Sequence, residues 1–373
     1  MSRRRFLKSL GAGGVVVGGA LAGCRPAEQA ADSAAQAPAE IVEWKMVTTW
    51  PKNFPGLGTG AERLARLIRE MSGGRLVIKV YGAGELVPAF EIFDAVSRGT
   101  AQMGHGAAYY WKGKNEAFQF FSTVPFGLTA NEMDAWLYHG GGLELWREAY
   151  EPFDLVPAPA GNTGVQMAGW FNKEVEGLSD LKGLKMRIPG LGGEVLRRAG
   201  GTPVNLPGGE LFTSMQTGAI DATEWVGPYN DLAFGLYKVA KLYYYPGWHE
   251  PGTTLEALVN KQALEALPED LQRIVLNACR VANHDMLAEY NARNNDALET
   301  LMAEHEVEVR RLPDEVLVRL RSLSEEAVGE IAQTSELAGR VFESYSGFRQ
   351  KVIAWHDLSD RSYLNARLPY DHC

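Results

Sequence analysis

Residues 178–189 and 210–225 constrain the fold more than any other part of the chain. The first reads Leu-Ser-Asp-Leu-Lys-Gly-Leu-Lys-Met-Arg-Ile-Pro: a turn, then a short apolar-leaning strand that delivers Arg187 just ahead of Pro189 and Gly190. The second carries Leu211 and Met215 at helical spacing, a glycine stop at Gly218, and at once a strand that presents Glu224 and Trp225. Strands and helices alternating this tightly specify a layered α/β structure with parallel neighbours, because a parallel strand is reached only through a crossover. The pattern also leaves an arginine and a carboxylate at strand ends. A cationic fork and an acidic lip suit a small organic anion, with or without a cation.

The same plan runs through the rest of the chain. Residues 43–49 read as a strand, Trp50-Pro51-Lys52-Asn53-Phe54-Pro55 as a rigid loop, and 60–71 as a helix with Leu64, Leu67, Ile68 and Met71 on one face. Strand 75–81, helix 89–98 and strand 102–108 complete a first unit. A second unit starts near Val165, with strands at 166–172, 185–188, 202–205 and 221–226 around helices at 193–199 and 208–217. Residues 254–260 give another strand, and from Pro268 the pattern is almost wholly helical. The expectation is an α/β fold of two lobes with a cleft between them, a favoured place for a ligand. The first lobe spans 43–164 with later crossing segments, the second 165–265, and C-terminal helices fill 266–373.

The stretch from Pro313 to about Trp355 keeps an apolar face (Leu320, Ile331, Leu337, Phe342, Phe348) with no internal proline. It reads as one helix too long for a single lobe to cover, so part of its face is expected to pack on a second subunit. The alternative is two helices broken near Ser344-Tyr345-Ser346-Gly347.

The first residues set the compartment. Ser2-Arg3-Arg4-Arg5-Phe6-Leu7-Lys8 has the twin-arginine pattern, and the apolar, glycine-rich run 10–22 is too short for a stable membrane span. Residues 1–23 therefore read as an export signal, and Leu21-Ala22-Gly23-Cys24 as a lipobox that acylates Cys24; ordinary cleavage after a small residue is the alternative. Residues 24–42, rich in Ala, Glu and Pro, read as a disordered tether. Cysteines occur only at 24, 279 and 373, so no disulfide framework supports the fold, and Cys279 in a helical pattern reads as a small core residue. Losing Arg3, Arg4, Arg5 and Lys8 with the signal takes the formal charge from −9 to −13. So acidic a surface excludes nucleic acid as a partner and requires locally positive chemistry to hold an anion.

The segment ending in Arg187, together with the helix and strand 210–225, resembles the solute receptors of tripartite ATP-independent periplasmic (TRAP) transporters. Over residues 43–360 the chain is similar to the branch that binds 2-oxoacids. That resemblance implies a two-lobe periplasmic-binding-protein-like fold, no enzymatic activity and no organic cofactor. Its partners would be a small 2-oxo or 2-hydroxy monocarboxylate and a TRAP membrane permease, and its assembly a homodimer through the C-terminal helix. It also implies a sodium or calcium ion that bridges the ligand carboxylate, held by Gln166, Glu224, the Trp225 backbone carbonyl and Glu250. Gln166, Arg187, Trp225, Tyr109, Tyr110 and Phe54 are then the candidate substrate-binding residues. The chemistry agrees: arginine offers a planar two-point fork to a carboxylate, and two carboxylates beside an anion make sense only with a cation between them. The opposing reading is a periplasmic enzyme, for example an oxidoreductase exported already folded.

Gly56-Leu57-Gly58-Thr59-Gly60-Ala61 formally fits the dinucleotide fingerprint, but Pro51 and Pro55 lengthen a connection that needs a tight strand-to-helix turn. The chain has no Cys-x-x-Cys, no His-Glu-x-x-His, no Gly-x-Ser-x-Gly and no phosphate loop. Of the scattered histidines, His105 and His249 alone fall near expected loops of the cleft.

Overall fold

Alternating burial shapes the first strand of the computed structural model, which describes residues 41–368. In β1 (Val42–Thr48) Trp44 and Met46 turn inward while Glu43 and Lys45 face water. The expected signal peptide, lipobox, Cys24 and most of the tether lie outside the described residues. Helix α1 (Leu57–Met71) follows, burying Leu57, Ala61, Leu64 and Ile68 along one stripe. Then come β2 (Leu76–Tyr81), α2 (Ile92–Ser97) and β3 (Met103–Gly106). Helices α3 (Ala130–His139) and α4 (Gly142–Tyr150) lead to β4 (Leu155–Asn162), and α3 is opened by a Thr129/Glu132 capping box.

The chain then crosses to the second lobe through β5 (Gly169–Phe171) and β6 (Lys185–Arg187). Helix α5 (Gly190–Arg198), β7 (Thr202–Val204), α6 (Leu211–Gln216), β8 (Ala222–Thr223), α7 (Pro228–Phe234) and β9 (Leu242–Tyr245) continue it. It returns at β10 (Thr254–Asn260), which enters the first sheet antiparallel to both β3 and β4. The first sheet has the order β2-β1-β3-β10-β4. With β11 (Glu308–Arg311), the second has the order β11-β9-β5-β8-β6-β7. The pairs β1/β2, β1/β3, β6/β7, β6/β8 and β9/β11 are parallel, as the alternating pattern requires.

After the short α8 (Lys261–Glu265), α9 (Glu269–His305) runs 37 residues without glycine or proline, about 55 Å at the usual rise. It is the longest helix among the described residues. Its first half packs on the first lobe through Leu271, Val275, Cys279 and Ala282, and its second half joins the second lobe through Tyr290 and Leu301. Cys279 is fully buried, and burial pushes its thiol up to about 12, so it is a core residue without reactivity.

The C-terminal stretch is not one helix. It is α10 (Asp314–Ile331) and α11 (Glu336–His356), followed by α12 (Ser362–Ala366). The break falls at 332–335 rather than near Ser344–Gly347. Thr334 donates its hydroxyl to the Ile331 carbonyl at 2.8 Å, and Ser335 caps α11 by accepting from the Ala338 amide at 3.1 Å. Short hydroxyl side chains that bond the local backbone compete with helix continuation, and they supply the stop that glycine and proline did not. The face expected to meet a second subunit is covered instead by the chain's own lobes. Leu320 packs in the second lobe, Ile331 in the first, and Leu337, Phe342 and Phe348 lean on the first-lobe core. The two helices straddle both lobes of their own chain.

A mixed cluster joins the lobes on the cleft side: Trp50, Phe54 and Tyr109 from the first pack with Trp170, Trp225 and Tyr243 from the second. The glycines at 56–60 serve this packing. A Cβ at Gly60 would stand 2.3 Å from the Met286 methyl and one at Gly56 2.5 Å from the Tyr290 hydroxyl, so they let α1 press on α9 and form no phosphate cradle.

Candidate functional site

Strand ends from the second lobe and two crossing segments build one enclosed site. On β6 Lys185 stays exposed while Met186 and Arg187, on opposite faces of the strand, are both buried, and the parallel ladder pairs Arg187 with Thr223. Glu224 follows directly, its amide donating to the Arg187 carbonyl at 3.2 Å. The crossing segments supply Gln166 and Glu250, which lie side by side with the Gln166 amide donating to the Glu250 carbonyl at 3.1 Å. Their close approach needs Gly247, where a Cβ would fall 2.1 Å from the Gln166 carbonyl oxygen. From the first lobe, Trp50 follows β1, and Tyr109 and Tyr110 sit just past β3.

Arg187 is 1% exposed. Its Nη1 donates to the Glu224 carboxylate and, at 3.3 Å, to the Glu224 carbonyl, while Nε donates to the Leu206 carbonyl at 3.0 Å. Nη2 has only the Tyr110 hydroxyl, at 3.4 Å, and is the donor left for a ligand. The Trp225 ring lies 5.0 Å from the guanidinium carbon. Burial works against the charge, but the Glu224 carboxylate, then Tyr110, Tyr109 and Glu250, more than reverse this and hold the pKa above its ordinary value. The arginine is permanently cationic in a dry place.

Glu250 Oε2 accepts from Gln166 Nε2 at 2.8 Å and from the Thr253 hydroxyl at 2.5 Å. Burial, then the like charge of Glu224, pushes its carboxyl up to about 7. Burial also raises both tyrosines, with Glu250 adding to Tyr109, so they stay neutral phenols able to donate. Four buried polar atoms here have no hydrogen-bond partner and could accept one or bind a cation: Gln166 Oε1, Glu224 Oε2 and the two ring nitrogens of His249. Glu224, His249 and Glu250 each offer an atom within 4.8 Å of the others. Orphaned carboxylate and amide oxygens in a desolvated pocket are what a hard cation satisfies, so these residues fit such an ion.

The cavity they adjoin is lined by Trp50, Tyr109, Tyr110, Gln166, Arg187 and Trp225, together with Leu57, Thr163, Val226, Thr253 and Leu255. At about 10 Å³ it holds little more than one water, so the lobes must part to admit a solute. A larger cavity of about 230 Å³, lined by Phe126, Arg321, Val328 and Tyr345, lies between α10 and α11, away from the orphaned acceptors.

Of the expected residues, Gln166, Arg187, Glu224, Trp225, Glu250, Tyr109 and Tyr110 come together. Phe54 does not line the cavity. It stacks on Phe234 of the second lobe with ring centroids 4.1 Å apart, an interlobe contact. His105 is fully buried and satisfied, accepting from Trp50 Nε1 at 2.8 Å and facing the Ala160 carbonyl at 3.2 Å; burial lowers its pKa to about 4. Sequence reasoning assigned no role to Thr163, Thr253 or His249. The hydroxyls give no periodic signal, and His249 acquires meaning only from Glu224, far away in the chain.

The family model for bacterial extracellular solute-binding proteins, family 7 (DctP), matches residues 46–335. The chain belongs to this family. As a family-7 protein it is a periplasmic solute receptor of a TRAP transporter, not an enzyme, and its partners are a small organic anion and a membrane permease. The family-7 chain is 45% identical over 333 residues to the monocarboxylate 2-oxoacid-binding periplasmic protein of Nostoc sp., covering 89% of this chain and 91% of that one. A TRAP solute-binding protein of Pseudoalteromonas atlantica, crystallised with sodium and pyruvate, is 43% identical with a TM-score of 0.86, over 88% of this chain and all of the other. One from Bordetella bronchiseptica, a mixed-occupancy dimer with calcium and picolinate in its active site, is 36% identical with a TM-score of 0.86, over 88% and 97%.

Proposed function

We propose that this receptor captures a small 2-oxo or 2-hydroxy monocarboxylate together with a sodium or calcium ion and delivers it to its permease. The observation that carries this reading is a fully buried arginine with one free donor, next to orphaned oxygens from Gln166 and Glu224 in an enclosed interlobe cavity. Arg187 Nη2 takes one carboxylate oxygen of the ligand, and the Tyr109 and Tyr110 phenols donate from the opposite lobe. Gln166, Glu224, the Trp225 carbonyl and Glu250 hold the cation, whose charge lets an anion sit beside two carboxylates. Trp50, Leu57, Val226 and Leu255 form an apolar wall that keeps water out and leaves no room for a long side chain. The relatives' pyruvate and picolinate, with sodium and calcium, support this chemistry. Calorimetry of the purified mature protein against a panel of oxoacids and hydroxyacids, with and without each cation, tests it. Binding of short oxoacids only when a cation is present is the expected result; binding that ignores cations overturns the reading.

The leader and the C-terminus extend it. Twin-arginine export followed by acylation of Cys24 would tether the receptor beside its permease; a Cys24→Ser protein released from the membrane fraction is the expected outcome. A homodimer through the C-terminal segment would cover Ile353, Trp355, Leu358, Tyr363, Leu364 and Leu368, all large and exposed. The crystallised Bordetella dimer supports it.

A further inference from the structure

The crossing segments 163–166 and 250–253 are zipped together. The Thr163 amide donates to the Thr253 carbonyl and the Gln166 amide to the Glu250 carbonyl, each at 3.1 Å. Thr163 and Thr253, both buried, thereby bring their hydroxyls against the Gln166 and Glu250 side chains. Gln166 Nε2 donates to Glu250 Oε2 at 2.8 Å, to Thr163 Oγ1 at 3.0 Å and to Thr253 Oγ1 at 3.4 Å. Neither hydroxyl has a proton to give back. Thr163 spends its own on the Gly164 carbonyl at 3.2 Å, and Thr253 spends its own on Glu250 Oε2 at 2.5 Å. A glutamine turned over would set its oxygen against three acceptors, so the amide has one satisfied orientation. In that orientation Oε1 is the buried atom without a partner. Both hydrogen bonds to the Glu250 carboxylate fall on Oε2, which leaves Oε1 as the oxygen that can meet an ion.

We propose that Thr163 and Thr253 are positioning residues for the cation, acting through Gln166 and Glu250. Their committed hydroxyls make Gln166 present its oxygen, never its amino group, and make Glu250 present a single oxygen. The inference rests on the cation reading above and adds the side chains that orient its ligands. A hard cation is repelled by an amide N–H₂ and attracted by an amide oxygen, so the orientation decides whether Gln166 helps or hinders.

The mature protein, stripped of cations, is titrated with Ca²⁺ and separately with Na⁺, each with pyruvate present. Thr163→Val and Thr253→Val, which keep the shape and remove the hydroxyl, should each raise the cation concentration for half-saturation about 10- to 100-fold. Pyruvate affinity at saturating cation should stay within about twofold of wild type, and Thr163→Ser and Thr253→Ser, which restore the hydroxyl, should restore cation affinity. Thr163→Ala and Thr253→Ala remove the hydroxyl without a new methyl, so the test does not hang on how valine packs. Wild-type cation affinity in the hydroxyl-free variants overturns the proposal. So does a loss of pyruvate affinity that saturating cation does not repair, or a serine that fails to rescue, since either marks damaged packing instead of misdirected ligands. Both results leave the cation reading standing. Pyruvate binding to the unmodified protein that needs no cation overturns both.

Discussion

Gln166 and Glu250 hold each other twice, amide to carbonyl at 3.1 Å along the backbone and side chain to side chain at 2.8 Å. They lie on the two segments that cross between the lobes, so the chain's crossover and its candidate cation site are the same place. Because Gln166 Nε2 is spent on Glu250, Thr163 and Thr253, its Oε1 is the atom left for the site.

Arg187 sets the first expectation. Lysine would keep the charge but lose the planar fork that now spans Glu224, the Leu206 carbonyl and the ligand position. Arg187→Lys should weaken ligand binding by about 1–3 kcal/mol, roughly 5- to 150-fold by calorimetry, and Arg187→Ala by more. The alanine change also leaves Glu224 buried and unpaired, at a cost of about 3–5 kcal/mol in stability. Binding measured on folded Arg187→Ala protein at wild-type strength would remove the residue from the site.

The second expectation concerns the ion. After exhaustive chelation and replacement of sodium by a large organic cation, Glu224 and Glu250 face the ligand's carboxylate without compensation. Affinity for short oxoacids should fall at least a hundredfold, and adding back a cation should restore it. Glu224→Gln should mimic the loss in part, since it removes one charge and one metal ligand together.

Much of this site was legible because strand ends are legible. The run into Arg187 and the glycine stop before Glu224 mark where two parallel strands finish, and open α/β sheets gather ligand groups there. Other elements gave no such signal. Strand β4 carries Pro157 and Pro159, which argue against a central strand, and the structure resolves the conflict by making β4 an edge. The break at 332–335 rests on two hydroxyl side chains rather than on proline or glycine. Phe54 looked like a pocket aromatic because a sequence does not show which loop faces Phe234 across the cleft. His249 needed the fold itself to bring it to Glu224.

Stability should depend on pH in a specified direction. Burial raises the carboxyls of Glu250, Asp231 and Glu256 to about 7, from ordinary values of 4.5, 3.8 and 4.5. Each holds its proton more tightly folded than unfolded, so its contribution is full below its ordinary pKa and is lost as pH rises through about 7. Cation-free protein should melt at a higher temperature at pH 5 than at pH 8. A bound cation replaces the proton at Glu250, so cation affinity should rise between pH 6 and 8 and saturating cation should reduce the loss of melting temperature. A cation-free melting temperature that climbs from pH 5 to 8 would contradict these burial effects.

The Phe54–Phe234 stack predicts a mutant that weakens binding without touching the ligand. An aromatic pair is worth about 0.5–1.5 kcal/mol beyond its buried area, and this one bridges the two lobes. Phe54→Leu should lower ligand affinity about 2- to 10-fold through a faster off-rate, while leaving the choice among oxoacids unchanged. A changed preference among ligands by stopped-flow or calorimetry would put Phe54 back on the cavity wall.

Assembly gives the last expectation, and the fold relocates it. Because α10 and α11 cover cores of their own lobes, deleting everything after Asp314 would strip buried Leu320, Leu323, Val341 and Tyr345 from their partners and unfold the protein whatever its oligomeric state. The informative cut falls after Gln350. It removes Ile353, Trp355, Leu358, Tyr363, Leu364 and Leu368, which are 40–75% exposed, and none of the core residues above. An apolar group of this size on one chain end is normally covered by another subunit. The intact mature protein should sediment as a dimer at micromolar concentration. The version ending at Gln350 should sediment as a monomer that still binds its oxoacid and melts within a few degrees of the full chain. An intact protein that stays monomeric at high micromolar concentration would leave the site as described and rule out pairing through this segment.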